Sequence, residues 1–223
     1  DGDDRPHISY RGANGLAYAR WDGASWVTET VDDAPGAGQY TSLALDSEGA
    51  PHIAHCVGGE DAVRLAWLSG TTWLSVTVDG DDATKRHTSL ALDGDDAPHI
   101  AYQWYRSPYY LRYAWLDGST WVSETIPGQG RGYYASLALD AQDRPHVADY
   151  RSGALVYSWR SGGSWQSATV DRDGSSVGQH ASLALDAGGE PHISYAALWP
   201  DYDLRYARGV RHWVYLPLVL RGF

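Results

Sequence analysis

Five of the nine histidines in this 223-residue chain follow a proline, at His7, His52, His99, His146 and His192. Imidazole is the commonest metal ligand in proteins, so a recurrent His first suggests a metal centre. Equivalent positions on successive repeats are held apart by the repeat itself, however, and no second His or carboxylate accompanies each at ligand spacing. The pattern therefore predicts histidines bonded to neighbouring backbone or to a recurrent Asp, with no metal and no cofactor. Acidic tetrads such as Asp1-Gly-Asp-Asp4, Asp46-Ser-Glu-Gly49, Asp93-Gly-Asp-Asp96, Asp140-Ala-Gln-Asp143 and Asp186-Ala-Gly-Gly189 suggest calcium next. Calcium needs six to eight oxygens, and only the first and third tetrads are acidic enough to consider. Asp here is expected to cap a tight hairpin turn through its own backbone. Cys56 is the only cysteine and reads as an inert, buried thiol. A catalytic site breaks repeat symmetry with a few converging groups, whereas these polar landmarks recur in each unit; no catalytic residue and no enzyme is expected.

The elements that carry these residues are short strands. Ser-Leu-Ala-Leu-Asp recurs at Ser42, Ser89, Ser136 and Ser182, opening units of 46 or 47 residues. The fullest unit reads as strand A, Ser89–Asp93, strand B, Pro98–Tyr102, strand C, Leu111–Trp115, and strand D, Trp121–Ile126, with period-two alternation and turn residues between them. Such a repeat predicts an all-β fold, a β-propeller of four-stranded antiparallel blades. Strands B to D occur five times but strand A only four, so a five-bladed propeller is expected whose blade one lacks its own strand A. Its single domain spans 1–223, with blades near 1–31, 40–78, 87–126, 134–170 and 180–214 and a closing or donor strand at 215–223.

The tail Tyr215-Leu216-Pro217-Leu218-Val219-Leu220 offers a strand for that place, since Pro217-Leu-Val-Leu-Arg-Gly matches Ser89-Leu-Ala-Leu-Asp-Gly. Its tether is short. In internal units 15 to 17 residues separate the strand-D Trp from the next strand-A Ser, but four separate Trp213 from Pro217. Four extended residues reach only ~14 Å, less than three strand spacings plus the gap between blades. The tail therefore completes blade one of its own ring, remains strand D of blade five, or completes blade one of a neighbour. The preferred expectation is the third: head-to-tail self-assembly into a ring or filament, with the edge Pro6-His7-Ile8-Ser9-Tyr10 as acceptor.

Symmetry breaks between strands B and C. Blade three carries Trp104, Tyr105, Tyr109 and Tyr110 there, and blade five Trp199 and Tyr202. Strand polarity places these loops on one face with Tyr40, His87, Tyr134 and His180, each two residues before a repeat Ser. Aromatics with Asp and Arg on one face can stack on sugar rings. A glycan-binding lectin or adhesin, closed within its own chain, is thus the alternative to a non-enzymatic structural protein that binds copies of itself; the opposing expectation is that these rings pack on one another.

A net charge of −11 argues against nucleic acid and anionic membrane surfaces, and no hydrophobic stretch reaches the ~20 residues of a bilayer span. The chain does not begin with Met, which is taken as a processed N-terminus, consistent with removal of an export signal.

The C–D hairpins Asp22-Gly23-Ala-Ser-Trp26, Ser69-Gly70-Thr-Thr-Trp73, Asp117-Gly118-Ser-Thr-Trp121 and Ser161-Gly162-Gly-Ser-Trp165 resemble the Asp-box of sialidase-like propellers in keeping Gly-x-x-Trp, and depart from it by lacking the upstream Ser. That resemblance implies the fold. A sialidase-like glycoside hydrolase, the least favoured reading, would also require three convergent Arg, for which Arg106, Arg112, Arg131 and Arg205 are available, and a Tyr nucleophile. The whole repeat resembles those of secreted bacterial β-propellers, and Tyr215–Leu220 resembles the endings of some exported bacterial proteins. Both imply an extracellular location.

Overall fold

The computed structural model describes residues 1–81, 83–128, 130, 132–172, 176–198, 202–210 and 212–216. Strands β1 His7–Gly12, β2 Gly15–Trp21 and β3 Trp26–Asp32 form a three-stranded sheet. Four four-stranded sheets follow: β4 Gln39–Leu45 to β5 Pro51–Val57, β6 Ala62–Ser69 and β7 Thr72–Asp79; β8 Thr84–Leu92 to β9 Pro98–Tyr105, β10 Tyr110–Asp117 and β11 Thr120–Ile126; β12 Tyr133–Leu139 to β13 Pro145–Arg151, β14 Ala154–Ser161 and β15 Ser164–Asp171; and β16 Val177–Leu185 to β17 Pro191–Ala197, β18 Asp203–Val210 and β19 His212–Leu216. Pairing is antiparallel between consecutive strands throughout. The chain is an all-β protein of three- and four-stranded sheets, consistent with a β-propeller.

Each hairpin into a second strand is built by one carboxylate. Asp46 Oδ1 accepts from the Glu48 and Ala50 amides at 3.0 and 2.7 Å, while the Asp46 amide donates to the Ala50 carbonyl. Asp93 repeats this with Asp95 and Ala97, Asp140 with Gln142 and Arg144, and Asp186 with Gly188 and Glu190. Asp1 does the same with Asp3 and Arg5. The second oxygen of each Asp faces the Nε2 of the Pro-His histidine, at 3.2 Å for His7 and 3.5 Å for His192. The other imidazole nitrogen meets a tyrosine hydroxyl from the strand that follows: His7 with Tyr18, His99 with Tyr113, His146 with Tyr157 and His192 with Tyr206. The Nε2–H tautomer satisfies both contacts, with the tyrosine donating to Nδ1. In the second sheet Leu65 replaces the tyrosine, and His52 Nδ1 is buried without a partner. The recurrent His is thus a structural group bonded to the recurrent Asp.

Neighbouring sheets are joined at their first strands by the repeat serine. Ser42 Oγ accepts the Leu90 amide at 2.9 Å, Ser89 Oγ the Leu137 amide at 2.9 Å and Ser136 Oγ the Leu183 amide at 3.0 Å. Those amides alternate with the ones that pair within their own sheet, so a hydroxyl from next door is what satisfies them. The hairpin tryptophans add a second tie, Trp73 Nε1 to Glu29 at 2.9 Å and Trp165 Nε1 to Glu124 at 2.8 Å. Cys56 is buried in the core between sheets two and three, and burial pushes its thiol up to about 12.

The tail follows the second of its three expected courses as far as it is described. Tyr215 pairs with Ala207 and Leu216 with Tyr206, so both end β19, the fourth strand of the last sheet, and neither is free to be donated. The antiparallel pairing that runs from Val210↔His212 to Tyr206↔Leu216 puts them there. Pro217, Leu218, Val219 and Leu220 lie outside the described residues. On the acceptor side, β1 is the edge of the three-stranded sheet, and Ser9 within it accepts Thr41 Oγ1 at 3.1 Å through its carbonyl.

The serine tie gives a direct expectation. Ser89→Ala leaves the Leu137 amide buried without an acceptor and should cost about 1–2 kcal/mol in denaturant unfolding. Ser182→Ala, at an exposed position of the last first-strand, should stay within about 0.5 kcal/mol of wild type.

Candidate functional site

Each of the four Ser-Leu-Ala-Leu strands begins with a bulge. Pairing jumps from Gln39↔Cys56 to Ser42↔Ala54, and likewise between Arg86 and Ser89, Tyr133 and Ser136, and Gln179 and Ser182, so one extra residue is inserted each time. The inserted turn places Tyr40, His87, Tyr134 and His180 at φ of 51°, 53°, 55° and 51°. A left-handed backbone costs a residue with a Cβ roughly 1–2 kcal/mol; it recurs here four times, always under an aromatic ring. Those rings meet. Tyr40 lies 4.6 Å from His87, His87 4.7 Å from Tyr134, and Tyr134 4.1 Å from His180, centroid to centroid. A ladder of four rings thus crosses four sheets at the start of their first strands, with Tyr40 39% exposed at one end and His180 exposed at the other. Tyr133 touches His87 from the side at 5.9 Å.

The B–C loop of sheet three supplies a second cluster. Trp104 donates through Nε1 to both Asp81 oxygens at 2.9 Å and packs on Tyr110 at 5.7 Å; Tyr105 packs on Tyr109 at 4.7 Å. Arg86, adjacent in sequence to His87, holds its guanidinium 4.6 Å from the centre of the Tyr105 ring. All four loop aromatics are half-buried, so they do pack on one another. Tyr202, 69% exposed, precedes β18, and Trp199 lies outside the described residues.

Ion pairs at the same end of the sheets escaped sequence reasoning. Asp32 accepts from Arg64 at 2.9 Å and lies 3.5 Å from His55; Asp79 accepts from Arg112 at 2.9 Å and from Tyr102; Asp171 accepts from Tyr195 at 2.7 Å and Arg205 at 3.2 Å. Each joins the last strand of one sheet to the next sheet. At the remaining junction Pro127 stands where the acid would be, and Arg151 bonds its carbonyl at 2.7 Å while forking onto Asp149 at 2.6 and 2.7 Å. The signal was present in Val31-Asp32, Val78-Asp79 and Val170-Asp171, which close their strands alike. Arg112 and Arg205 therefore serve separate junctions; Arg106 is in the exposed part of its loop, and Arg131 lies outside the described residues. Among the described residues no group of three or more His, Cys, Asp or Glu is arranged to hold a metal.

Electrostatically the ladder is neutral where it is enclosed. Burial, followed by the positive charges of Arg86 and His180, lowers His87 to about 4. Burial also lowers His55 to about 4, although Asp32 works against it.

No family model and no curated relative matches the chain. Solved structures do match in fold. AofleA from Arthrobotrys oligospora is 14% identical with a TM-score of 0.67, the match covering 96% of this chain and 70% of that one. An ulvan lyase, a polysaccharide lyase solved with -[GlcA(1-4)Rha3S]- bound, is 13% identical with a TM-score of 0.66, covering 95% and 68%. The Aleuria aurantia lectin, solved with Fucα1-6GlcNAc, is 14% identical with a TM-score of 0.62, covering 96% and 79%. At such identity the likeness concerns the fold, which is that of β-propeller lectins and lyases. It also corrects one expectation. The chain was expected not to be an enzyme because its polar residues repeat, yet a repeated fold of this kind carries a lyase, so repeat symmetry does not exclude catalysis.

The lowered histidines set a pH window. His55 is neutral in the folded chain down to about 4, while an unfolded chain binds the proton near 6.5. Stability is therefore full above 6.5 and is lost as pH falls toward 4, by about 3 kcal/mol for this fully buried ring. Denaturant midpoints measured between pH 7.5 and 4.5 should fall accordingly, and His55→Gln should flatten that part of the profile.

Proposed function

We propose that this chain is an extracellular glycan-binding β-propeller. Its five sheets are five blades, the first short of its innermost strand, and its binding platform is the ladder Tyr40–His87–Tyr134–His180. The observation that carries this reading is the repeated left-handed aromatic bulge: strain kept at four equivalent positions, each under an aromatic ring, points to a working surface. Stacked rings present apolar area to the C–H faces of a pyranose, and the flanking Asp81, Arg86 and Arg112 offer acceptors and donors for hydroxyls. Further support comes from a fold whose solved relatives include proteins captured with bound saccharide.

The variants that test it are Tyr134→Gly and His87→Gly. Glycine removes the ring and also fits a positive φ without strain, so the fold is kept. Either change should lower binding to the best ligand of a glycan array by tenfold or more, with unchanged circular dichroism. Unchanged affinity in both variants would refute the ladder as the platform. Saccharide products followed in the same samples would report turnover.

A further inference from the structure

Three of the four junctions between consecutive sheets are filled in the same way. Arg64, Arg112 and Arg205 reach from a third strand to the acid that closes the sheet before, Asp32, Asp79 and Asp171. Arg112 also donates to Ser123 Oγ at 2.7 Å, on the fourth strand of its own sheet. Sheet four keeps that serine as Ser167, but Val156 stands in the arginine's place and Pro127 in the acid's. The space an arginine fills elsewhere is open here, as a cleft of about 390 Å³ lined by Val156, Arg151, Ser167, Thr169 and Arg172. Val156 pairs with Thr169 and Ser158 with Ser167, so these four side chains share one face of the sheet. The polar groups of the cleft are donors. Arg151 enters from the end of the second strand, its guanidinium buried and fixed by Asp149, Ser158 and the Pro127 carbonyl. A Cβ on Gly128 would stand 2.1 Å from Arg151 Nη1, so glycine there is what admits the guanidinium. Asp149 balances the charge of Arg151, while Arg172 is exposed and pairs with no carboxylate among the described residues. No Asp or Glu lines the cleft, although the chain carries 28 of them against 17 Lys and Arg. Clefts beside sheet one, by contrast, have Asp1, Glu29 and Glu48, or Asp33, in their walls.

We propose that this cleft binds an oxyanion, a carboxylate or a sulfate, carried on a body of about one sugar ring. Guanidinium and hydroxyl donors without a competing acid select an anionic group rich in acceptors. The volume lies at the small end of ligand pockets and exceeds what a bare ion occupies. The cleft belongs to the third and fourth strands of sheet four, whereas the ring ladder stands on first strands, so this site holds whether or not the ladder binds glycan.

The test is calorimetry on the full chain in low salt with glucuronate, glucose 6-sulfate, neutral glucose and inorganic sulfate. One or both anionic sugars should bind about tenfold tighter than glucose and than inorganic sulfate, and the tighter of the two names the anion. Arg172→Gln, at an exposed position, should weaken that binding about tenfold. Val156→Arg restores the arginine of the repeat and should fill the cleft and abolish binding; if that variant does not fold, Arg172→Gln alone decides. His87→Gly, in the ladder, should leave the binding unchanged. The proposal is overturned if neither anionic sugar binds up to about 20 mM, or if glucose or inorganic sulfate binds as tightly. Binding that survives Arg172→Gln, or that falls with His87→Gly, overturns it equally.

Discussion

One extra residue at the start of each Ser-Leu-Ala-Leu strand governs one end of the sheets in this molecule. Inserting it displaces the pairing register, and here the backbone absorbs the displacement in one left-handed residue. The side chain there can no longer lie in the sheet, and it turns toward its counterparts on neighbouring sheets. Four times that side chain is Tyr or His, and the rings close into a ladder. Two residues later the strand recovers its register, and the repeat serine reaches the next sheet's amide. Strain at the bulge and satisfaction at the serine are thus consecutive consequences of one insertion.

The junctions behind the ladder solve a different problem. Asp32, Asp79 and Asp171 end strands whose neighbours are apolar, and a carboxylate there is tolerable only with a guanidinium or phenol in hand. The partners come from the following sheet, which makes each pair a register mark between sheets. Where Pro127 removes the acid, Val156 takes the place of the third-strand arginine, and Arg151 with Asp149 rebuilds a charge pair inside the following sheet. The polar content of the junction survives a change in each of its members.

Much of this was legible in the chain because the relevant spacings are local. Alternation marked the strands, and Asp to His across six residues marked the hairpin carboxylate with its imidazole. The tyrosine that completes that trio was hidden, since Tyr in a third strand fits an apolar pattern equally well. The ladder residues were singled out by position, but a bulge is defined against a partner strand and has no signature in one strand alone. Asp79 and Arg112 lie on different sheets, and nothing in local periodicity pairs them. Tyr215 and Leu216 depart from the expected donor strand for a related reason: Trp213 opens β19 and carries both into pairing with β18 before the residues that resemble Ser-Leu-Ala-Leu begin.

The central claim is that glycan binds on the ring ladder rather than among the half-buried aromatics beside Trp104. Histidine ring resonances report on it directly, because His87 and His180 stand in the ladder while His52 and His146 belong to hairpins at the far end of the sheets. Titrating 15N-histidine-labelled protein with its best array ligand should shift His87 and His180 together, saturating at the dissociation constant measured by calorimetry, and leave His52 and His146 in place. Saturable binding by calorimetry without movement of His87 or His180 would contradict the account.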